Sequence, residues 1–268
     1  MQRLKDLKQK KQIFGMIHLQ ALPGTPGNKY TVRKIKEIAL NELEIYKQYN
    51  LDGLIIENMH DIPYMKRKVG PEICAVMAVI AAALRKEYKK PLGIQVLAGA
   101  NKVALAIAKA AELDFIRAEG FIFSHIADEG LMNADAATLL RYRKAINATN
   151  VKIFSDIKKK HSSHFITNDL SISDYAQAAQ FFLSDGLIIT GKSTAFAPAL
   201  EEVKSVRRET ELLIIIGSGI TFNNIEKYWD YADIFIVGSH FKKDFRWFNE
   251  LSEENIAMFM NKVEKLRN

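Results

Sequence analysis

Gly186-Leu-Ile-Ile-Thr-Gly191-Lys192-Ser193 fits the nucleotide-binding pattern G-x-x-x-x-G-K-[ST] letter for letter. How it is read decides the fold. A P-loop needs a strand ahead of its first glycine and a loop between the two glycines. Here Leu187-Ile188-Ile189 lies between the glycines and is itself strand-like, so the match is a strand that ends in Gly-Lys-Ser. Two later runs end the same way: Leu212–Ile216 runs into Gly217-Ser218-Gly219, and Asp233–Val237 into Gly238-Ser239.

Further out, the same kind of segment recurs along the chain. Ile13–His18, Gly53–Glu57, Leu92–Leu97, Asp114–Arg117 and Val151–Asp156 are short, apolar and rich in β-branched or aromatic residues, and each precedes a polar or glycine-containing break. Amphipathic stretches such as Val32–Tyr49, Glu72–Tyr88, Lys102–Glu112, Ala134–Ile146 and Asp174–Leu183 separate them. Eight strand-then-helix units in 268 residues predict an α/β fold, a single (β/α)8 TIM barrel of parallel strands. No linker or low-complexity tract divides it, so residues 1–268 read as one domain with a basic extension over residues 1–11. The segments after strands one, two, four, five and eight are long: Leu19–Tyr30, Asn58–Gly70, Ala118–Gly130, Ile157–Leu170 and Gly238–Leu251. Barrel chemistry sits on that side.

Composition narrows the partners. Lys and Arg outnumber Asp and Glu by 38 to 31, giving a net charge of +7, but the basic residues are scattered apart from Lys158-Lys159-Lys160 and the first eleven residues. Without a recognised binding motif, a nucleic-acid partner is not expected. No apolar run reaches the roughly 18 residues of a membrane span, and the N-terminus lacks the apolar core of a signal peptide. The lone Cys74 has no cysteine to pair with, which favours a reducing compartment, by default the cytosol. Oligomeric state is not fixed by the sequence, and a homo-oligomer stays open.

The glycine-ended strands six to eight suggest a phosphate rim of Thr190, Gly191, Gly217, Ser218, Gly219, Gly238 and Ser239, because glycine lets backbone N–H groups approach an anion closely. Lys192 is a further phosphate contact in this reading. Opposite the rim, Glu57 follows an apolar strand and is placed for general-base duty if desolvated. Alternation puts Lys152, Phe154, Asp156 and Lys158 on one side of strand five, where Asp156 and Lys158 would meet a ligand or form a salt bridge. Arg117 and Glu119 share a side of strand four, and an arginine there would clamp an anion. His18 ends strand one as a proton carrier or a packed histidine. Gln95 is a lesser candidate. His161-Ser-Ser-His164, with Asp156 and His125, leaves a divalent metal open, although a loop lacks the fixed spacing of a helix; no other cofactor is called for. Asp128-Glu129 reads as a lid or a helix start. The clusters Phe121-Ile-Phe123 and Phe245-Arg-Trp247-Phe248 read as lining or covering the mouth, or as packing beneath long loops.

These segments together resemble the BtpA/SgcQ family. The resemblance rests on Gly15-Met-Ile-His18-Leu-Gln-Ala-Leu-Pro23-Gly24, on Asp52–Asn58 with Val69-Gly70-Pro71-Glu72, on Leu140–Arg143, Lys152–Lys158 and Lys160-His161, and on the three glycine-rich strand ends. It runs from about residue 12 to residue 244. It implies a barrel akin to the ribulose-phosphate-binding group and a phosphorylated ligand. Strand three departs from the family pattern, with Ala98-Gly99-Ala100-Asn101 where many members carry Arg-Asn-Asp. The photosystem I role for which the family is named is therefore not carried over. Three functions follow as alternatives: an isomerase, lyase or aldolase acting on a small phosphorylated molecule, either a sugar phosphate or a nucleotide-derived compound, a non-catalytic assembly or regulatory factor, and a metal-dependent hydrolase using Asp156, His161 and His164.

Overall fold

The computed structural model describes Leu4, residues 7–191, Ser193 and residues 196–268. In chain order the strands are β1 Gln12–His18, β2 Gly53–Glu57, β3 Leu92–Gln95, β4 Phe115–Ala118, β5 His125–Ala127, β6 Gly130–Met132, β7 Lys152–Ile157, β8 Ser162–Ser163, β9 Gly186–Ile189, β10 Leu213–Ile216 and β11 Ile234–Val237. Eight of them close a parallel barrel in the order β1-β2-β3-β4-β7-β9-β10-β11, with β11 returning to β1. The helices α1 Val32–Gln48, α2 Pro71–Glu87, α3 Asn101–Ala110, α4 Ala136–Ala145, α5 Ile172–Phe181, α6 Leu200–Glu209, α7 Ile225–Tyr228 and α8 Glu253–Arg267 follow the barrel strands in turn. The P-loop look-alike is β9, since Gly186 already pairs with Phe154 and Ile189 with Ile157. Lys192 lies outside the described residues.

Alternation within the strands divides the lumen into layers. Phe14, Ile55, Phe115, Phe154, Ile188, Ile215 and Ile234 fill the end nearer the strand N-termini and form an apolar cluster separate from the one beneath the helices. The layer fits because three phenylalanines face glycines across the ladder: Phe14 opposite Gly53, Phe115 opposite Gly93 and Phe154 opposite Gly186. A Cβ at Gly93 would overlap the Phe115 ring. The basic N-terminal segment is no loose extension over its described part, because Leu7 is buried in this plug and Leu4 packs against it. One leucine among lysines gives no periodic signal, so the sequence hides that role.

The segment between β4 and α4 is more ordered than its length suggests. β5 and β6 form an antiparallel hairpin, and β8 joins it to make a three-stranded sheet over one side of the mouth. Arg67, from the loop after β2, clasps this cover through Asp135 at 2.5 Å and the backbone carbonyls of Gly99 and Gly120.

Candidate active site

Following the lumenal positions from the plug to the strand C-termini changes the chemistry within two residues. Met16 gives way to His18 on β1, Ile55 to Glu57 on β2, Phe115 to Arg117 on β4 and Phe154 to Asp156 on β7, while Gly217 and Gly238 end β10 and β11. A cavity opens there, lined by His18, Glu57, Arg117, Gly217, Ser218, Gly219, Gly238 and Ser239.

His18 and Glu57 form a buried pair, with Nε2 and Oε2 3.5 Å apart. The His18 Nδ1–H donates to the Trp247 carbonyl at 3.2 Å, which leaves Nε2 as the acceptor facing the carboxyl. Burial, and then the charge of Lys242, holds the His18 imidazole well below its ordinary pKa. Burial raises the Glu57 carboxyl, against the pull of Arg117 and Lys160. Both shifts disfavour the charged form, so burial favours a neutral imidazole beside a neutral carboxyl.

Arg117 is fixed. Its guanidinium makes a bidentate pair with Asp156 at 2.8 and 2.9 Å and reaches the Gly217 carbonyl at 3.4 Å. Burial opposes its charge, but Asp156 and then Glu57 keep it more firmly protonated than usual. Asp156 therefore spends both oxygens on Arg117 and is unlike the free acid or base the sequence allowed.

Lys158 does not share that face. The strand ends at Ile157, and Lys158 adopts a positive φ of 49°, which turns the chain. Its ammonium bonds to the Leu170 carbonyl at 2.9 Å and lies 5.5 Å from the centre of the Tyr175 ring, away from the cavity. The lysine that lines the cavity is Lys160. Burial, then Arg117, lowers its pKa, with Glu57 and Asp156 opposing. Lys160 lies in the Lys158–Lys160 charge run, and only the turn at Lys158 reveals it.

The expected phosphate rim splits. Gly217, Ser218, Gly219, Gly238 and Ser239 line the cavity, whereas Thr190 and Gly191 do not. The Thr190 hydroxyl accepts from the Lys160 backbone N–H, and the Gly191 N–H donates to Ser218 Oγ at 3.2 Å. Ser218 in turn donates to the Phe196 carbonyl at 3.0 Å, so its hydroxyl ties the loop after β9 to the rim. Side chains at Gly191 or Gly219 would collide with Phe196 and Ala197 of that loop.

Two further residues line the wall, and sequence reasoning missed one of them, His240, which stacks on Phe245 with ring centres 5.2 Å apart. Trp247, from the aromatic cluster, lies edge-on to His18 and supplies the carbonyl that sets its tautomer. The aromatic run 245–248 was the available signal. Phe121, by contrast, is core. The metal reading is not supported by the placement of its residues: His164 turns to the Lys159 carbonyl and Tyr175, His125 stacks on His164, and Asp156 is committed to Arg117. Among the described residues no group of three or more His, Cys, Asp or Glu side chains converges to hold a metal ion. Nor is any described helix long and apolar enough to cross a membrane.

Comparison with known proteins agrees with this architecture. The chain is 45% identical over 260 residues to the Caenorhabditis elegans uncharacterized protein F13E9.13, mitochondrial, covering 95% of this chain and 94% of that one. That relative's name points to a mitochondrial location for that protein, at odds with a cytosolic default. It is 30% identical to the photosystem I biogenesis protein BtpA of Synechocystis, covering 86% of this chain and 80% of the relative. Among solved structures, (S)-3-O-geranylgeranylglyceryl phosphate synthase from Thermoplasma acidophilum, in complex with sn-glycerol-1-phosphate, superposes with a TM-score of 0.62 at 15% identity, covering 98% and 97% of the two chains. That likeness concerns the barrel fold. The sequence profile of the BtpA family matches residues 9–265, and the chain is a member of the BtpA family.

Proposed function

We propose that this protein is an enzyme that binds a small phosphorylated metabolite at the barrel mouth and moves a proton on it. One observation carries the reading: a single cavity is walled on one side by the small-residue ends of β10 and β11 and on the other by the buried His18–Glu57 pair with Arg117 and Lys160. Phosphate commonly docks at the ends of the seventh and eighth strands of such barrels, which here are β10 and β11. The solved neighbour named above was captured with a phosphorylated substrate, which supports the ligand class. In this reading Gly217, Ser218, Gly219, Gly238 and Ser239 hold the phosphate. Glu57 removes or returns the proton with His18 as its partner, and Lys160 and Arg117 stabilise the negative charge that develops. Proton abstraction beside a carbonyl is common to isomerases, lyases and aldolases.

A scaffold of the kind the Synechocystis relative's name suggests would gain nothing from these residues. Desolvating a carboxyl, an arginine and a lysine at strand ends costs stability. The lone Cys74 fits a reducing compartment, and both cytosol and mitochondrial matrix meet that requirement.

Thermal-shift screening with phosphorylated sugars and nucleotides, with and without divalent cations, tests the proposal. Stabilisation by phosphorylated compounds is expected and should vanish in Gly238→Asp. That substitution adds a negative charge where a side chain makes only ordinary contacts, about 3.5 Å from Met16 and His18. Ser218→Glu should act likewise. If no phosphorylated compound stabilises the wild type, the assignment fails. Turnover of a stabilising compound should disappear in Glu57→Gln.

A further inference from the structure

A second cavity adjoins the first, sharing Glu57, Met59, Lys160 and Trp247 with it. One side of its remaining wall is apolar, from Ile62 and Tyr64 after β2 and Leu97 after β3, and the other is polar, with Gln95, Glu119, Glu129 and Lys159. Three acceptor oxygens of this wall have no hydrogen-bond partner: Gln95 Oε1, Glu119 Oε2 and Glu129 Oε2. Gln95 and Glu119 are only 2% and 3% exposed. Lys159 lies 3.8 Å from Glu119 Oε1 and 3.9 Å from Glu129 Oε2, near enough to offset charge but too far to hydrogen-bond.

A buried acceptor left without a partner is destabilising, so three around one cavity call for a ligand that brings donors. A second anionic group would meet Glu119, Glu129 and the nearby Asp128. An apolar group would leave all three oxygens unsatisfied, and a cationic group would have to displace the Lys159 ammonium, which already lies beside Glu119 and Glu129. Hydroxyl groups satisfy the wall without adding charge. Gln95 is also the ladder partner of Glu57, so a hydroxylated chain held by Gln95 passes beside the carboxyl that would take the proton.

We propose that the ligand is a sugar phosphate, its phosphate on the β10–β11 rim and its hydroxylated carbons in the second cavity, where Gln95, Glu119 and Glu129 accept their hydrogen bonds. This rests on the phosphate reading of the rim.

The test compares ribose 5-phosphate with propyl phosphate, which presents an apolar tail on the same monoester, and with inorganic phosphate, by calorimetry on the full-length protein. Ribose 5-phosphate should bind at least tenfold more tightly than propyl phosphate. Gln95→Leu and the unbranched Gln95→Met should both lower that ratio by at least threefold. Equal binding of the two esters by the wild type would overturn the hydroxyl assignment and leave the phosphate rim standing. A ratio that survives both substitutions would overturn the placement at Gln95. Failure of all three probes to bind would sink both proposals.

Discussion

Phe115 and Arg117 are two residues apart on β4 and share its lumenal face, yet they belong to opposite kinds of structure. Phe115 is part of an apolar plug in which aromatic rings fill the space left by glycines on neighbouring strands. Arg117 belongs to a layer where His18, Gln95, Glu57 and Asp156 are buried together beside the partly buried Lys160, with opposing charges and, at Gln95 Oε1, an acceptor without a partner. The strands are the same and the burial is comparable. The plug gains stability from every side chain, while the mouth holds groups that water would solvate better. A fold keeps such a layer where a ligand is to supply the missing partners.

Substitutions at the two levels should therefore behave differently. Phe154→Ala removes a large ring from the plug and should lower unfolding free energy by about 3–5 kcal/mol in denaturant titrations, with little effect on the ligand selectivity of whatever folded protein remains. Arg117→Met should cost nearly as much, about 3–5 kcal/mol, because it strands Asp156 as an uncompensated buried carboxylate. The double change Arg117→Met with Asp156→Leu should recover most of that loss while ligand binding stays abolished. If the double variant is as unstable as the single one, the Arg117–Asp156 pair is a structural necessity and the contrast between the layers breaks down.

How far each layer could be read from sequence follows from the same contrast. Strand alternation points to one shared side for Arg117 on strand four and for Asp156 on strand five, while His18 and Glu57 are read from their place at the ends of apolar strands. Alternation fails where the backbone leaves the strand. At Lys158 a single positive φ exchanges the inward lysine for Lys160, and nothing in a run of three lysines announces it. The hairpin β5–β6 has strands of three residues each, too short to show a period, so the sequence shows only a long segment with Asp128-Glu129 as a lid or a helix start. Thr190 and Gly191 were grouped with the other glycine-ended strands. Their contacts are instead taken by Lys160, Ser218 and the loop around Phe196, which lies five residues along the chain but is placed by tertiary packing. Leu7 is legible only once the barrel bottom it fills has been built.

The exchange of lysines has a smaller consequence. Lys158→Met should lose one backbone hydrogen bond and one ring contact, about 1 kcal/mol in all, and leave phosphate-ester binding as it is. Lys160→Met should instead weaken binding at least tenfold at comparable stability, measured by calorimetry. Equal loss of binding in both would mean that Lys158 reaches the ligand after all.

The smallest effect expected is in the pH dependence of stability, and it separates the two members of the buried pair. Glu57 has a raised pKa in the folded state, so its contribution is fully present below the ordinary carboxylate range and is lost as pH rises through the folded value. Glu57→Gln lacks that loss, and its melting temperature relative to wild type should climb as pH goes from about 4 to 8. His18 is shifted the other way, and its contribution is present above about pH 6.5 and lost as pH falls toward the folded value. His18→Asn should therefore gain on the wild type only on the acid side. Plug variants should run parallel to the wild type across the whole range, because no titrating group is touched. A Glu57→Gln curve that also runs parallel would mean that the carboxyl is already paired in the folded state, and its place as the proton acceptor would go with it.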